Sequence, residues 1–247
     1  MTGSIVAVVA HPDDESLIAG GTLALAASAG LATGVVSLTR GERGPIRPGT
    51  SATSATLGEL REAELQAAAR QLGVGWAVCL HHPDGELPWI DHGTVAGELA
   101  FLLTRHEAAV VLTFGADGLY WHPDHVAAGQ IAALASDRLE RPVDVYEAAW
   151  PSGLVPQLVA AAAERGLPTG LWGLEPDAFG SDRSATVAID VRPVLARKLA
   201  ALRAHQTQLG ADHLLSALPN DLAERFLAYE PWAGPEHGAL QELIGGD

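Results

Sequence analysis

SIVAVVAHPDDE, residues 4–15, decides how the rest of the chain is read. Ser4–Ala10 is a run of small and β-branched residues without a charge, the composition of a strand buried on both faces. The run stops at His11-Pro12-Asp13-Asp14-Glu15, where an acidic cluster opens a helical pattern reaching to about Ala29. A buried strand that delivers polar side chains at its carboxyl end is how open α/β sheets build ligand sites.

The alternation repeats outward from this unit. Thr33–Thr39, Trp76–His81, Ala108–Phe114, Val143–Ala148 and Ala185–Val191 read as further strands. Helices are expected over about Gly58–Leu72, Thr94–Arg105, Pro123–Asp137, Ser152–Arg165 and Pro193–His205. The order predicts one α/β domain over residues 1–247: a doubly wound, mainly parallel, Rossmann-like sheet with helices on both faces and a C-terminal extension from about Thr207. Turn residues gather in Arg40–Thr56 and Gly166–Asp182, the segments expected to be most mobile.

Thirty acidic against fifteen basic side chains leave a formal charge of -15, a field that repels phosphate backbones and anionic lipid and so speaks against a nucleic-acid partner. No basic residue precedes the first apolar run, so a signal peptide is not expected. No stretch approaches the ~18–20 apolar residues that span a bilayer, so membrane insertion is not expected either. The single cysteine, Cys79, lies in an apolar run and can form no intrachain disulfide, which fits a buried thiol in a reducing cytoplasm. A homo-oligomer is compatible with the sequence.

The triplet His-Pro-Asp occurs three times, at His11–Asp13, His82–Asp84 and His122–Asp124. The first and third follow a predicted strand and open a predicted helix. Either could merely cap its helix, with proline in the first turn. Two such motifs on one parallel sheet, jointly offering imidazoles and carboxylates, point instead to a metal. A catalytic zinc keeps three protein ligands and an open position for water, and His11, Asp14 and His125 supply such a set. No thiolate is nearby, which excludes a closed Cys-rich structural site, while iron and other divalent ions share N/O sites of this kind. Adjacent carboxylates divide the labour, with Asp14 as ligand and Asp13 as base.

These residues resemble the paired signature of the LmbE-like (PIG-L) family of zinc-dependent N-deacetylases. Gly41-Glu42-Arg43-Gly44, Arg61-Glu62-Ala63-Glu64, Asp84-Gly85, Tyr120 and Ala204-His205-Gln206-Thr207-Gln208 extend the resemblance over about residues 4–210. The resemblance implies zinc on His11, Asp14 and His125, with Asp13 as general base. It makes His122 a charged donor beside the developing oxyanion, Asp124 a group set against His122 or the metal shell, and Tyr120 a flexible aid to carbonyl polarisation. Arg61 and Asp84 match positions that hold sugar hydroxyls. His205 either lines the site or anchors a helix end.

The implied activity is hydrolysis of a linear amide: removal of an N-acetyl group from an N-acetylglucosamine-type glycoside, a small-molecule substrate. The alternative is an amidase that cleaves a larger acyl group from a mycothiol-type thiol conjugate. From other classes, a non-catalytic metal-dependent sugar binder would not need Asp13 beside a ligand, and a nucleotide-binding protein would need the G-x-G-x-x-G that the first strand lacks.

Overall fold

In a computed structural model of the chain, β1 (Ser4–Val9) is buried along its whole length. The model describes residues 3–181, 183–210 and 212–244, so Asp182, the end of the second segment expected to be mobile, lies outside it, as do both ends of the expected domain. β1 is followed by α1 (Asp14–Ile18), α2 (Gly20–Ser28), β2 (Thr33–Thr39), α3 (Leu57–Leu72), β3 (Trp76–His82), α4 (His92–Arg105) and β4 (Ala108–Phe114). A short turn α5 (Gly118–Trp121) then leads to α6 (Pro123–Ser136), β5 (Asp144–Ala148), α7 (Leu154–Ala163), β6 (Val187–Asp190) and α8 (Leu195–Ala204). The chain ends in α9 (Leu214–Ala217), α10 (Asn220–Leu227), β7 (Tyr229–Ala233) and α11 (Ala239–Ile244).

The strands form one sheet in the order β3-β2-β1-β4-β5-β7-β6. β1 to β5 pair in parallel, and β7 runs antiparallel to both β5 and β6. The mainly parallel, doubly wound expectation therefore holds. α2, α3 and α8 pack together, as α4 does with α6, and right-handed crossovers set these groups on opposite faces of the sheet. Two local features fix the geometry. α3 stops at Gly73 in a left-handed conformation, φ 69°. Gly129 lets α6 approach β4 so closely that a Cβ there would overlap the carbonyl oxygen of Phe114.

Two expectations are corrected. The helix expected from Glu15 to Ala29 is two helices, because Ala19 leaves the helical region at φ −125°, ψ −3° and α2 restarts at Gly20. The segment after Thr207 is not an appendage: it supplies β7, between β5 and β6. Glu230 on β7 accepts from the backbone N–H groups of Gly21 and Thr22, each at 2.7 Å, and pairs with the buried Lys198 of α8 at 2.6 Å. The first turn of α2 leaves its N–H groups unsatisfied, and this carboxylate closes two of them.

Candidate metal centre and active site

The strand order reverses at β1, with β2 on one side and β4 on the other. Such a switch point opens a crevice beyond the carboxyl ends of the two strands. The segment after β1 brings His11, Asp13 and Asp14 into it, and the segment after β4 brings Tyr120, His122 and His125. Both His-Pro-Asp motifs expected at the site therefore meet there. The third, His82–Asp84, contributes Asp84 but not His82, which pairs with Glu98.

His125 shows the clearest preparation for a ligand. Its Nδ1–H donates to the carbonyl of Gly118 at 3.0 Å, and its ring stacks on Phe114 with centroids 4.0 Å apart. Nε2 is thereby the lone-pair nitrogen, buried and without a hydrogen-bond partner among the described residues. It lies 3.3 Å from Oδ1 of Asp14, whose Oδ2 lies 3.5 Å from Nδ1 of His11. His11 Nε2–H points the other way, at Asp84 Oδ1 (3.1 Å) and Asp124 Oδ2 (3.3 Å); burial opposes charge on its imidazole, but Asp124, Asp14 and Asp84 raise it well above the usual range. Burial opposes charge on Asp14, but His125 and His11 bring its carboxyl well below the usual range.

A buried imidazole nitrogen without a hydrogen-bond partner among the described residues, beside an ionised carboxylate, belongs to a donor set that a divalent cation completes. His11, Asp14 and His125 fit the metal that the sequence led us to expect. His122 stands at the same point, since one nitrogen from each of His11, His122 and His125 lies within 4.8 Å of the others.

Asp13 is the strained member. Its backbone sits at φ 119°, ψ −30°, a region that costs a non-glycine residue on the order of 1–3 kcal/mol. Burial raises its carboxyl, Arg61 opposes this and Asp14 adds to it, and the balance lies at about 6. A base poised near neutrality is what proton abstraction requires.

The peptide between Pro12 and Asp13 is gripped at both ends. Its carbonyl accepts from Arg61 Nη2 at 2.7 Å, and its N–H donates to Glu15 Oε2 at 3.0 Å. Glu15 Oε1 accepts from Ser16 Oγ at 2.6 Å and from His205 Nε2 at 2.8 Å. Burial disfavours charge on Glu15 and His205 alike, yet each holds the other ionised: the carboxyl is lowered and the imidazole raised. His205 thus ends α8 against Glu15 and does not line the cavity. Sequence reasoning quoted Glu15 within its motif without giving it a task; its position one turn after His11 was the available signal.

Arg61 and Asp84 both line the cavity and also hold its frame. Arg61 Nη1 donates to the Gly41 carbonyl at 2.8 Å and Nη2 lies 3.4 Å from Asp13 Oδ2. Its guanidinium lies against Gly41 and Gly44, where any Cβ would collide with it. Arg61 therefore holds both backbone and base from its place in the cavity wall. Asp84 has both oxygens engaged, Oδ1 with His11 and Oδ2 with the Arg43 N–H at 2.8 Å. Burial raises its carboxyl, but these partners bring it to about 2. It holds His11 in place, and Asp124, fully buried, meets the same nitrogen while accepting from the Gly85 N–H at 2.7 Å.

His122 departs from expectation. Burial, then His125 and His11, push its imidazole down to about 4, a shift that opposes the charged donor implied by resemblance. Its Nδ1 accepts from the Asp124 N–H at 3.2 Å, capping α6. The proton of the neutral ring is thereby assigned to Nε2. Tyr120, whose ring centroid is 5.8 Å from that of His122, has its phenol raised by burial and by Asp14 and Asp13, which keeps it a donor.

His11, Asp13, Asp14, Asp84, Tyr120 and His122 floor a cavity of about 340 Å³, whose apolar wall comes from Leu17, Trp172, Leu174, Leu202 and Leu209. The size suits a small molecule. No helix among the described residues is long and apolar enough to cross a membrane.

The model of the family described as GlcNAc-PI de-N-acetylase (PIG-L) matches residues 6–136, which carry both motifs. A 1D-myo-inositol 2-acetamido-2-deoxy-alpha-D-glucopyranoside deacetylase of Acidothermus cellulolyticus is 34% identical, over 93% of this chain and 88% of its own. A deacetylase of the same name from Actinosynnema mirum is 35% identical, over 98% of this chain and 96% of its own. Among solved structures, the 4-carboxy-2-hydroxymuconate hydratase GalB of Pseudomonas putida KT2440 superposes with a TM-score of 0.67 at 22% identity, over 95% of this chain and 96% of that one. That likeness concerns the fold only, since one fold hosts different chemistries. Identity of this level over nearly whole chains, with a family match spanning the segments that carry the site, means that the chain belongs to the GlcNAc-PI de-N-acetylase (PIG-L) family.

Proposed function

We propose that the chain is a zinc-dependent deacetylase that hydrolyses the N-acetyl group of an N-acetylglucosamine-type glycoside. The observation that carries this reading is the buried Nε2 of His125, without a hydrogen-bond partner among the described residues, facing Asp14, which with His11 and Asp13 lines the cavity. The substrate class is supported by the relatives, whose names specify a 2-acetamido-2-deoxy-glucopyranoside of inositol.

His11, Asp14 and His125 would hold the metal, which when bound supplies Lewis-acid polarisation of the amide carbonyl and makes water more acidic. Asp13 takes a proton from the attacking water, whose oxygen bonds to the acyl carbon. Negative charge then gathers on the carbonyl oxygen, where the Nε2–H of neutral His122 and the Tyr120 hydroxyl act as donors. When the carbon–nitrogen bond breaks, Asp13 returns its proton to the leaving amine, giving acetate and the free amino sugar. Asp84 and Asp124 keep His11 oriented throughout.

One observation favours a second reading. The wall formed by Leu17, Trp172, Leu174, Leu202 and Leu209 would suit an acyl group larger than acetyl, as an amidase acting on a thiol conjugate requires. Turnover of an N-acetylglucosamine glycoside against its bulky N-acylated analogue, read as free amine released, separates the two. Preference for the bulky analogue would overturn the deacetylase reading in favour of the amidase.

A further inference from the structure

We propose that Glu15 and His205 are positioning residues for the general base: together they hold the Asp13 N–H, and with it the left-handed backbone turn that aims the Asp13 carboxylate into the cavity. The inference rests on the reading of Asp13 as base given above.

Three independent observations converge on one peptide. Asp13 occupies a backbone region that its own side chain disfavours, at φ 119°. The peptide before it is gripped at its carbonyl by Arg61 and at its N–H by Glu15. Glu15 is in turn fixed by a fully buried histidine 190 residues further along the chain, at the end of α8. Glu15 and His205 are absent from the cavity wall, whereas Asp13 is part of it. An ion pair sealed from substrate and attached to the strained turn of the base reaches the reaction through Asp13. A strained conformation persists when its surroundings over-determine it, and this pair supplies the half of the grip that Arg61 does not.

The test uses the full chain loaded with zinc and the variants His205→Ala and His205→Gln, the latter restoring an N–H donor toward Glu15. Loss of aim lowers kcat by about 10²-fold in His205→Ala, with KM changed less than about twofold. His205→Gln recovers most of the rate. In an Asp13→Ala background, His205→Ala costs nothing further, because the two act through the same group. Exchange of the Asp13 amide, followed by NMR, accelerates at least about tenfold in His205→Ala, while the amides of Val6–Val8 in β1 keep their wild-type rates. If His205→Ala does not fold, His205→Asn, whose shorter amide cannot reach Glu15, takes its place. Equal losses with and without Asp13, or an Asp13 amide whose exchange is unchanged, would reduce the pair to ordinary core structure. A wild-type protein that releases no amine from any amino-sugar amide would sink the function reading instead, and the amide exchange would still decide the inference.

Discussion

Asp14 lies between two imidazoles, 3.3 Å from Nε2 of His125 and 3.5 Å from Nδ1 of His11, and the nitrogen of His125 that faces it has no hydrogen-bond partner among the described residues. A buried acceptor without a donor is costly unless something else fills the gap. His125→Ala is therefore expected to lose metal and activity together, and Asp13→Ala to keep metal while losing about 10²–10⁴-fold in turnover. Metal content by elemental analysis beside the rate checks both. Full metal occupancy in His125→Ala would exclude it as a ligand.

Arg61 tests the grip on the Pro12–Asp13 peptide. If it bound sugar hydroxyls, Arg61→Ala would mainly raise KM. Because it holds the Pro12 carbonyl and lowers the Asp13 carboxyl, the expected outcome is a fall in kcat. The acidic limb of kcat/KM should also move to higher pH, since removing a positive neighbour raises a carboxylate pKa. The profiles are compared at equal metal loading, because a bound cation lowers Asp13 in both proteins. A raised KM with an unmoved limb would return Arg61 to substrate binding.

His122 is held neutral, with its value pushed down to about 4 and its Nδ1 occupied by the Asp124 N–H. A neutral donor has no proton to lose in the basic range, so the basic limb of the pH profile should persist in His122→Ala. Turnover should fall by about 10²–10³-fold, the usual loss for one oxyanion donor. The limbs belong to coupled groups, so the variant and not the wild-type curve makes the assignment. A basic limb that disappears with His122 would show that its imidazolium is the working form.

Much of this site was legible before any coordinates. β1 and β4 announce themselves as apolar runs, and α6 as a proline in a first turn, so the meeting of the two His-Pro-Asp motifs followed from topology. β7 did not: Tyr-Glu-Pro-Trp-Ala carries a proline and a charge, and only the fold shows that Glu230 is buried against Lys198 and the start of α2. The structural tasks of Arg61 and Asp84 were not legible for a related reason. Their partners are mostly backbone groups of Pro12, Gly41 and Arg43, and a sequence pattern carries no information about which carbonyl or amide will come within reach. The charge of His122 depends on desolvation, on His125 three residues along, and on His11 brought from the end of β1.

The buried Lys198–Glu230 pair makes a stability prediction independent of catalysis. Glu230→Ala strands the Lys198 ammonium and two backbone N–H groups of α2. Breaking a buried ion pair from one side costs about 3–5 kcal/mol. Urea unfolding of the variant should show that loss; a change below about 1 kcal/mol, the scale of exposed pairs, would mean that Lys198 finds another partner.

The measurement closest to the central claim is release of free amine from an N-acetylglucosamine glycoside by protein stripped of metal and then given one equivalent of zinc. The account predicts no turnover without metal, restoration on addition of zinc, and no restoration in His125→Ala. Full turnover by the metal-free protein, or restoration by zinc without His125, would contradict it.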